Sequence, residues 1–357
     1  MANNISIPQM RLINQQVLAR ETSTVKELVG WMGAIQSQDY QMAKWGIGLR
    51  VQGSTETIVD AAIDNAEIIR THILRPTWHF VTARDVRWMM ALTAGEVNKK
   101  SGTYFRQLEL DAQVFKKTNK ILEQLLKNGN HLTRKEIAEH FDKAGIKTAE
   151  LRTTYLLFKA ELDMVVCNGK RRGKQFTYAL FDERVPAAKS MDRETALAKL
   201  AKIYFSSHGP ATLRDFEWWS GLLLRDARTG LESIRPELHS VSISNRDFWF
   251  YELTTTRKKT SSVELLPAYD EYTISYADRT DVLDKKYSKE VLLRNGIFSP
   301  VIVINGQVEG IWTKTEKKDT VHLQPKMMNP LSELNKRKLE TVARRYGKFL
   351  GKPVVVD

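Results

Sequence analysis

The sequence predicts an α+β fold, mainly α: tandem three-helix modules followed by a small C-terminal β-rich domain. Three observations predict it. Amphipathic helical segments cluster between residues 24 and 262. Each cluster ends in a short two-strand ribbon. After Val263 helical spacing gives way to short runs of branched and aromatic residues. A chain of 357 residues has room for two to four such modules and a sizeable core.

The first module, residues 1–110, is the loosest. It reads as a helix over 25–36, a helix over 55–65, and strands over 68–74 and 77–81. The second, 111–190, is the clearest. A helix over 115–126 carries Ile121, Leu122, Leu125 and Leu126, and Asn128-Gly129-Asn130 stops it. Thr133 with Glu136 makes a capping-box pattern for a second helix, which buries Ile137, Ala138 and Phe141 and ends at Gly145. A third helix over 149–163 buries Leu156, Leu157 and Leu162 and exposes Arg152 and Lys159. Strands over 164–167 and 175–180 flank a basic turn. Three helices and a hairpin are the winged-helix order, in which the second and third helices form a helix-turn-helix and the hairpin is the wing.

The order recurs over 191–262. A helix spans 193–205, Gly209-Pro210 breaks the chain, and Thr212 caps a helix holding Phe216, Trp218 and Trp219. A third helix comes next, over 223–231, then wing strands over 240–252 turning at Asn245-Arg246-Asp247. The last domain, 263–357, reads as strands over 263–267, 291–293, 301–304, 308–312 and 320–323, a helix over 331–349 and a strand over 353–356. Asn305-Gly306 between apolar runs signals a two-residue hairpin. A partly closed barrel is expected.

Charge narrows the partners. Lys and Arg number 55 against 42 Asp and Glu, a formal net charge of +13. Such a surface concentrates polyanions by its field, although a basic protein without a specific polyanion partner has the same balance. The wing tip groups Lys170, Arg171, Arg172 and Lys174 within five positions, which suits phosphate contact, as it also suits a solvated turn. Arg152 and Lys159 extend the candidate DNA-binding set. The 42% hydrophobic and 27% charged content excludes disordered, collagenous and coiled-coil chains. No run of 18 apolar residues is present, and Met1 to Gln9 lack the apolar core of a secretory signal. The single Cys167 excludes an internal disulfide and a multi-cysteine zinc site. A cytoplasmic, nucleoid-associated protein with no membrane partner is expected.

The familiar catalytic patterns G-x-S-x-G, G-x-x-x-x-G-K-[ST], H-E-x-x-H and G-x-G-x-x-G are absent. The seven histidines are scattered, so neither a metal nor a cofactor is expected. Two polar segments remain. One places Gln36, Gln38 and Asp39 at the end of an apolar helix. The other runs from Arg70 to Phe80, where strand alternation puts Arg75, Thr77 and His79 on one face and Pro76 marks a bulge or an edge. Residues two apart on a regular helix point about 200° apart, so the two glutamines converge only where the helix ends or distorts. Otherwise one of them bonds backbone and Asp39 competes as the polar group.

The order of helix, Gln36-Ser37-Gln38, the strand Arg75-Pro76-Thr77-Trp78-His79, tandem winged helices, Asp270-Glu271-Tyr272 and Tyr276-Ala277-Asp278-Arg279 resembles the AlkZ/YcaQ-like winged-helix DNA glycosylases over nearly the whole chain. The resemblance implies three winged helices stacked into a C-shaped body with a C-terminal β-barrel. It implies excision of alkylated purines or unhooking of crosslinked bases from damaged double-stranded DNA. The family motif is Gln, an aliphatic residue, then Gln or Asp; it falls on Gln36 and Gln38, with Ser37 at the aliphatic place. The implied enzyme is a monomeric, monofunctional glycosylase without metal. The two amides would position water, and Arg75, Thr77 and His79 would organise pocket and phosphate. Trp45 and Trp78 lie nearest that pocket, although core packing is the alternative for every tryptophan here. Tyr272, Tyr276, Asp278 and Arg279 are expected at domain interfaces. The alternative function is a non-catalytic winged-helix DNA-binding protein, a regulator or an architectural factor.

The chemistry suits amides. An N7- or N3-alkylated purine is already cationic and leaves readily, so strong acid catalysis is unnecessary. What remains is to place water against the sugar C1′ and to stabilise an oxocarbenium-like state.

Overall fold

The structure is a computed structural model that describes residues 6–251 and 261–357. It is a mixed α+β protein in which helices and short hairpins alternate up to Phe250, and a five-stranded sheet with one long helix completes the chain. Among the described residues no helix is long and apolar enough to cross a membrane.

Local chemistry accounts for the helix starts. Thr24, Thr133 and Thr212 each accept from a backbone N–H three residues on, and the acid at that position reaches back to complete a capping box. Asp111 and Asp192 cap the 15-residue helices Ala112–Leu126 and Arg193–Ser207. Asn128 and Gly129, both at positive φ, stop the first of these as the sequence expects. The helices Arg134–Lys143, Arg152–Leu162, Leu213–Ser220 and Leu224–Ile234 also fall where expected.

The strands form four sheets. Ile35–Gln36, Trp78–Thr82 and Ile68–His72 make a three-stranded sheet with Trp78–Thr82 central. Leu132–Thr133, Thr177–Leu180 and Val166–Asn168 make a second. His239–Ile243 pairs with Arg246–Phe250, turning through Ser244 and Asn245. Arg246 and Asp247 therefore lie on the strand rather than in the turn, and Glu252 lies outside the described residues. The C-terminal sheet runs in the order Val263–Leu266, Val301–Ile304, Gln307–Glu316, Val321–Met327, Val354–Val356, with only the last pair parallel. Asn305 and Gly306, at φ 52° and 91°, make its tight hairpin, the backbone that an Asn-Gly pair favours.

Three expectations need correction. The helix expected over 25–36 ends at Met32, because Gly33 takes φ 75° and turns the chain into an extended segment. Residues 291–293 are not a strand: Ser288–Val291 is a helical turn, and Leu292 only bridges Phe298. The 22-residue helix Val86–Gln107 has no counterpart among the expected elements. Its first half is buried around Trp88, Met89 and Met90 while its second half is mostly exposed, so no single apolar stripe runs along it.

Three apolar clusters hold the chain. One joins the N-terminal helices to the C-terminal sheet and the helix Glu333–Leu350. In it Gly48 packs against Phe349, where a Cβ would lie 2.3 Å from the ring and push it aside. A second unites the strand segment 69–83 with the helices of 193–234. The third, around Leu122, Phe141 and Leu156, belongs to residues 110–166.

Candidate active site

The Gln-Ser-Gln segment lies at a sheet edge, and this resolves the geometric difficulty of a helical placement. Gln36 pairs with His79 on the short strand, and Ser37 N–H donates to the Trp78 carbonyl at 2.7 Å. The strand ends at Gln36 and Gln38 lies in the bend that follows, so the two side chains open on separate hollows, while Ser37 between them is fully buried. Arg70 fixes this backbone by donating to the Ser37 carbonyl at 2.9 Å, with its guanidinium 4.1 Å from the Trp78 ring centroid. The Ser37 hydroxyl has no hydrogen-bond partner among the described residues. Deleting a buried, unsatisfied hydroxyl removes a desolvation cost of about 1–3 kcal/mol. Ser37→Ala is therefore expected to unfold at the same or a higher temperature with unchanged catalytic rate. A tenfold rate loss in that variant would show that Ser37 faces the chemistry.

Gln36 lies on a cleft of about 700 Å³. Its Oε1 accepts from Arg75 Nη2 at 3.1 Å, and its backbone N–H donates to Glu271 Oε1 at 2.6 Å. Glu271 is wholly buried and also accepts from Trp219 Nε1 at 3.3 Å and from Ser275 Oγ. Burial pushes its carboxyl up, but the His208 imidazole, 3.6 Å away, and the Ser275 hydroxyl outweigh that and hold it below the usual carboxylate range. Burial lowers the Arg75 guanidinium from its usual value, and Glu271 is the acid that opposes the shift. Arg75 and Thr77 reach the cleft from the turn 74–77 rather than from a strand, so alternation does not place them. Arg75 Nε and Thr77 Oγ1 are buried without hydrogen-bond partners among the described residues. His79 is on the strand and fully buried; burial, with Arg75 adding, lowers its imidazole to about 3, so it is neutral at pH 7.

Gln38 is exposed and borders a second hollow of about 820 Å³. Tyr269 and Phe298 line both hollows, so the two amides border adjoining space. Asp39 is at the rim, but its carboxylate accepts from Met42 N–H at 3.0 Å and caps the helix Tyr40–Gly48. Arg70 and Phe176 in turn line a third hollow of about 440 Å³, with Trp78, Arg134, Lys135 and Lys174. Each hollow thus shares lining residues with the next, from Gln36 to the basic hairpin. Their charged lining is basic apart from Asp39 and Glu217.

Other expected site residues are placed differently. Trp45 lines none of these hollows: it is 1% exposed, donates Nε1–H to the Leu265 carbonyl at 2.8 Å and packs on Tyr346. Arg152 and Lys159 are committed within the fold, Arg152 to the Lys147 and Leu108 carbonyls and Lys159 to Asp163. On the hairpin, Lys170 and Lys174 are exposed, while Arg172 pairs with Glu136 and donates to the His131 carbonyl. The half-buried Arg171 lies over Tyr40 and Phe176 beside the Gln38 hollow.

Sequence reasoning misses much of the cleft wall. Lys100, Arg214, Trp218 and Arg279 line it with Gln36. Trp218 is 46% exposed, while Trp219, about 100° further round the helix, is fully buried. Trp218 Nε1–H donates to the Ile274 carbonyl at 2.8 Å, and the Arg279 guanidinium is near both Trp218 and Phe298. The polar run 276–279 is the sequence signal for this wall, although by itself it suggests a domain interface. Tyr276 in that run and Tyr272 just before it are fully buried and donate to the His208 and Gly306 carbonyls respectively.

A curated relative, an interstrand DNA cross-link repair glycosylase from Streptomyces sahachiroi, is 23% identical over 318 residues, covering 85% of each chain. The solved structure of Streptomyces sahachiroi DNA glycosylase AlkZ superposes with a TM-score of 0.82 at 20% identity, covering 99% of this chain and 98% of that one, and so shares its fold. The family model described as DNA glycosylase AlkZ-like matches residues 29–349. The chain belongs to the AlkZ-like DNA glycosylase family.

Proposed function

We propose that this protein is a DNA glycosylase that hydrolyses the N-glycosidic bond of alkylated purines, or of crosslinked bases, in double-stranded DNA. The observation that carries the proposal is the series of basic hollows, each sharing lining residues with the next, with Gln36 on the first and the hairpin lysine Lys174 on the last. A polyanion is attracted along such a surface, and an amide at its end meets the sugar of one nucleotide.

In the proposed reaction the C1′–N bond breaks and its electron pair leaves with the alkylated base, neutralising the base's positive charge. Water adds to C1′ and loses its proton to solvent. Gln36 Oε1, oriented by Arg75, holds that water, and Gln38 supplies a second polar contact from the neighbouring hollow. Neutral His79 and the half-buried Thr77 shape the turn that carries Arg75. Residues 1–110, 111–190 and 191–262 act as three winged-helix modules against duplex DNA, with 263–357 closing the fourth side as a partly closed barrel. The protein works as a monomer close to the nucleoid. Lys100, the lysine that lines the Gln36 cleft, donates from Nζ to the Gly221 carbonyl at 3.1 Å, which accords with simple hydrolysis rather than strand cleavage.

The test is incubation with duplex DNA bearing N7-methylguanine. Free N7-methylguanine and an intact strand carrying an alkali-labile abasic site are expected. Salt-dependent binding without base release would instead favour a regulator or an architectural factor.

The hairpin gives a separate prediction. Removing one cation from a phosphate lowers the slope of log affinity against log salt by about 0.9. Lys174→Ala, at an exposed cation with no ion-pair partner among the described residues, is expected to show that change in fluorescence-anisotropy titrations. Arg172→Ala should change the slope less, because its guanidinium is committed to Glu136 and the His131 carbonyl. Equal effects of the two would refute this division of the hairpin.

A further inference from the structure

The proposed reaction creates an electrostatic difficulty that the structure answers. The alkylated base arrives with a positive charge, and the sugar becomes cationic as the bond breaks. Yet the group that orients Gln36 is itself a cation, Arg75, with Nη2 3.1 Å from the amide oxygen. A positive charge at that distance, in a cleft partly shielded from water, opposes both substrate and transition state. It is acceptable only if a nearby negative charge cancels it.

Glu271 is placed to do so. Its Oε1 is 2.6 Å from the backbone nitrogen of Gln36, the residue whose amide Arg75 holds. The carboxylate is 1% exposed, so water screens it little. Its hydrogen bonds come from Trp219 Nε1 and Ser275 Oγ as well as Gln36, three donors that favour the ionised form. The adjacent acid, Asp270, cannot take the part, since its two oxygens close on Arg50 at 2.8 Å each.

Resting on the glycosylase reading, we propose that Glu271 is a positioning and charge-compensating residue: it makes the Gln36–Arg75 couple electrically neutral, so that the cleft accepts a cationic deoxyribose. It does not touch the substrate. It acts through the Gln36 backbone and through its field, which in a preorganised site costs no reorganisation as charge develops.

The test compares two non-hydrolysable duplexes. One carries a pyrrolidine azasugar, cationic at pH 7; the other carries neutral tetrahydrofuran at the same position. The wild-type protein is expected to bind the cationic duplex at least about tenfold more tightly, the scale of one modest charge interaction. Glu271→Gln should abolish that preference and leave tetrahydrofuran affinity unchanged, while Glu271→Asp, which keeps the charge, should retain it. A structural role alone would weaken both duplexes together. Should the glutamine variant not fold, loss of the preference in a folded aspartate variant overturns the proposal. So does a wild-type protein that binds both duplexes equally, or a glutamine variant that keeps the preference. Failure of the wild-type protein to release N7-methylguanine would refute the glycosylase reading itself, a separate result on a separate substrate.

Discussion

Replacing Asp270 with alanine is expected to destabilise the protein by about 3–5 kcal/mol, the cost of leaving one charge of a buried pair unpaired. Asp270 and Arg50 are each about 1% exposed in their side chains and meet in a two-pronged contact. Arg50 also donates Nε–H to the Gln15 carbonyl and Nη1–H to the Gly46 carbonyl. It thereby ties the N-terminal helices to the segment that carries Glu271. Removing the carboxylate strands that guanidinium in a dry interior and also removes the acceptor that caps Tyr272 N–H. The urea midpoint should fall sharply in Asp270→Ala. Arg50→Met combined with Asp270→Leu should recover part of the loss, because no isolated charge is then left behind. An Asp270→Ala protein within about 1 kcal/mol of wild type would mean that water reaches Arg50.

Gln36→Ala is expected to slow single-turnover base release by about 10²–10³-fold, the usual effect of deleting one preorganised polar group from a reaction centre. Gln38→Ala should cost less, on the order of tenfold. The difference arises from the geometry. Gln36 is 7% exposed and held at two points, by Arg75 on its amide and Glu271 on its backbone. Gln38 is exposed and has no hydrogen-bond partner among the described residues to fix its rotamer. A side chain that must be ordered for each turnover contributes less than one already in place. Duplex affinity should stay within about threefold of wild type in both variants, which separates catalysis from binding. A larger effect at Gln38 than at Gln36 would reverse the assignment of the water-holding amide.

The parts of this architecture that can be read in the sequence are those set by neighbouring residues. Thr133 with Glu136, the Thr212 cap, the stop at Asn128-Gly129 and the Asn305-Gly306 hairpin are local devices, and each occurs where the sequence puts it. The parts that cannot be read there are set by distant contacts. The helix Tyr40–Gly48 is buried on almost every side, with Phe349 against Gly48, so it carries no polar face to betray its period. Trp45 is drawn into that packing and away from the cleft. Gln36 resembles the end of a helix because the apolar run before it has helical spacing, and the single positive φ at Gly33 converts residues 35 and 36 to strand. Glu271 is visible only as part of a motif. Its burial behind Gln36 depends on contacts across 235 positions of chain, which no local pattern encodes.

The proposal that Gln36, on the first of the basic hollows, and Gln38, on its neighbour, act on a glycosidic bond makes a demand that one experiment meets head-on. Release of free N7-methylguanine from one duplex is followed at saturating protein, for the wild type and for Gln36→Ala/Gln38→Ala. Rapid release by the wild type is expected, with release at the spontaneous rate by the double variant and equal binding by the two proteins. Equal release by both would contradict a catalytic role for the amides.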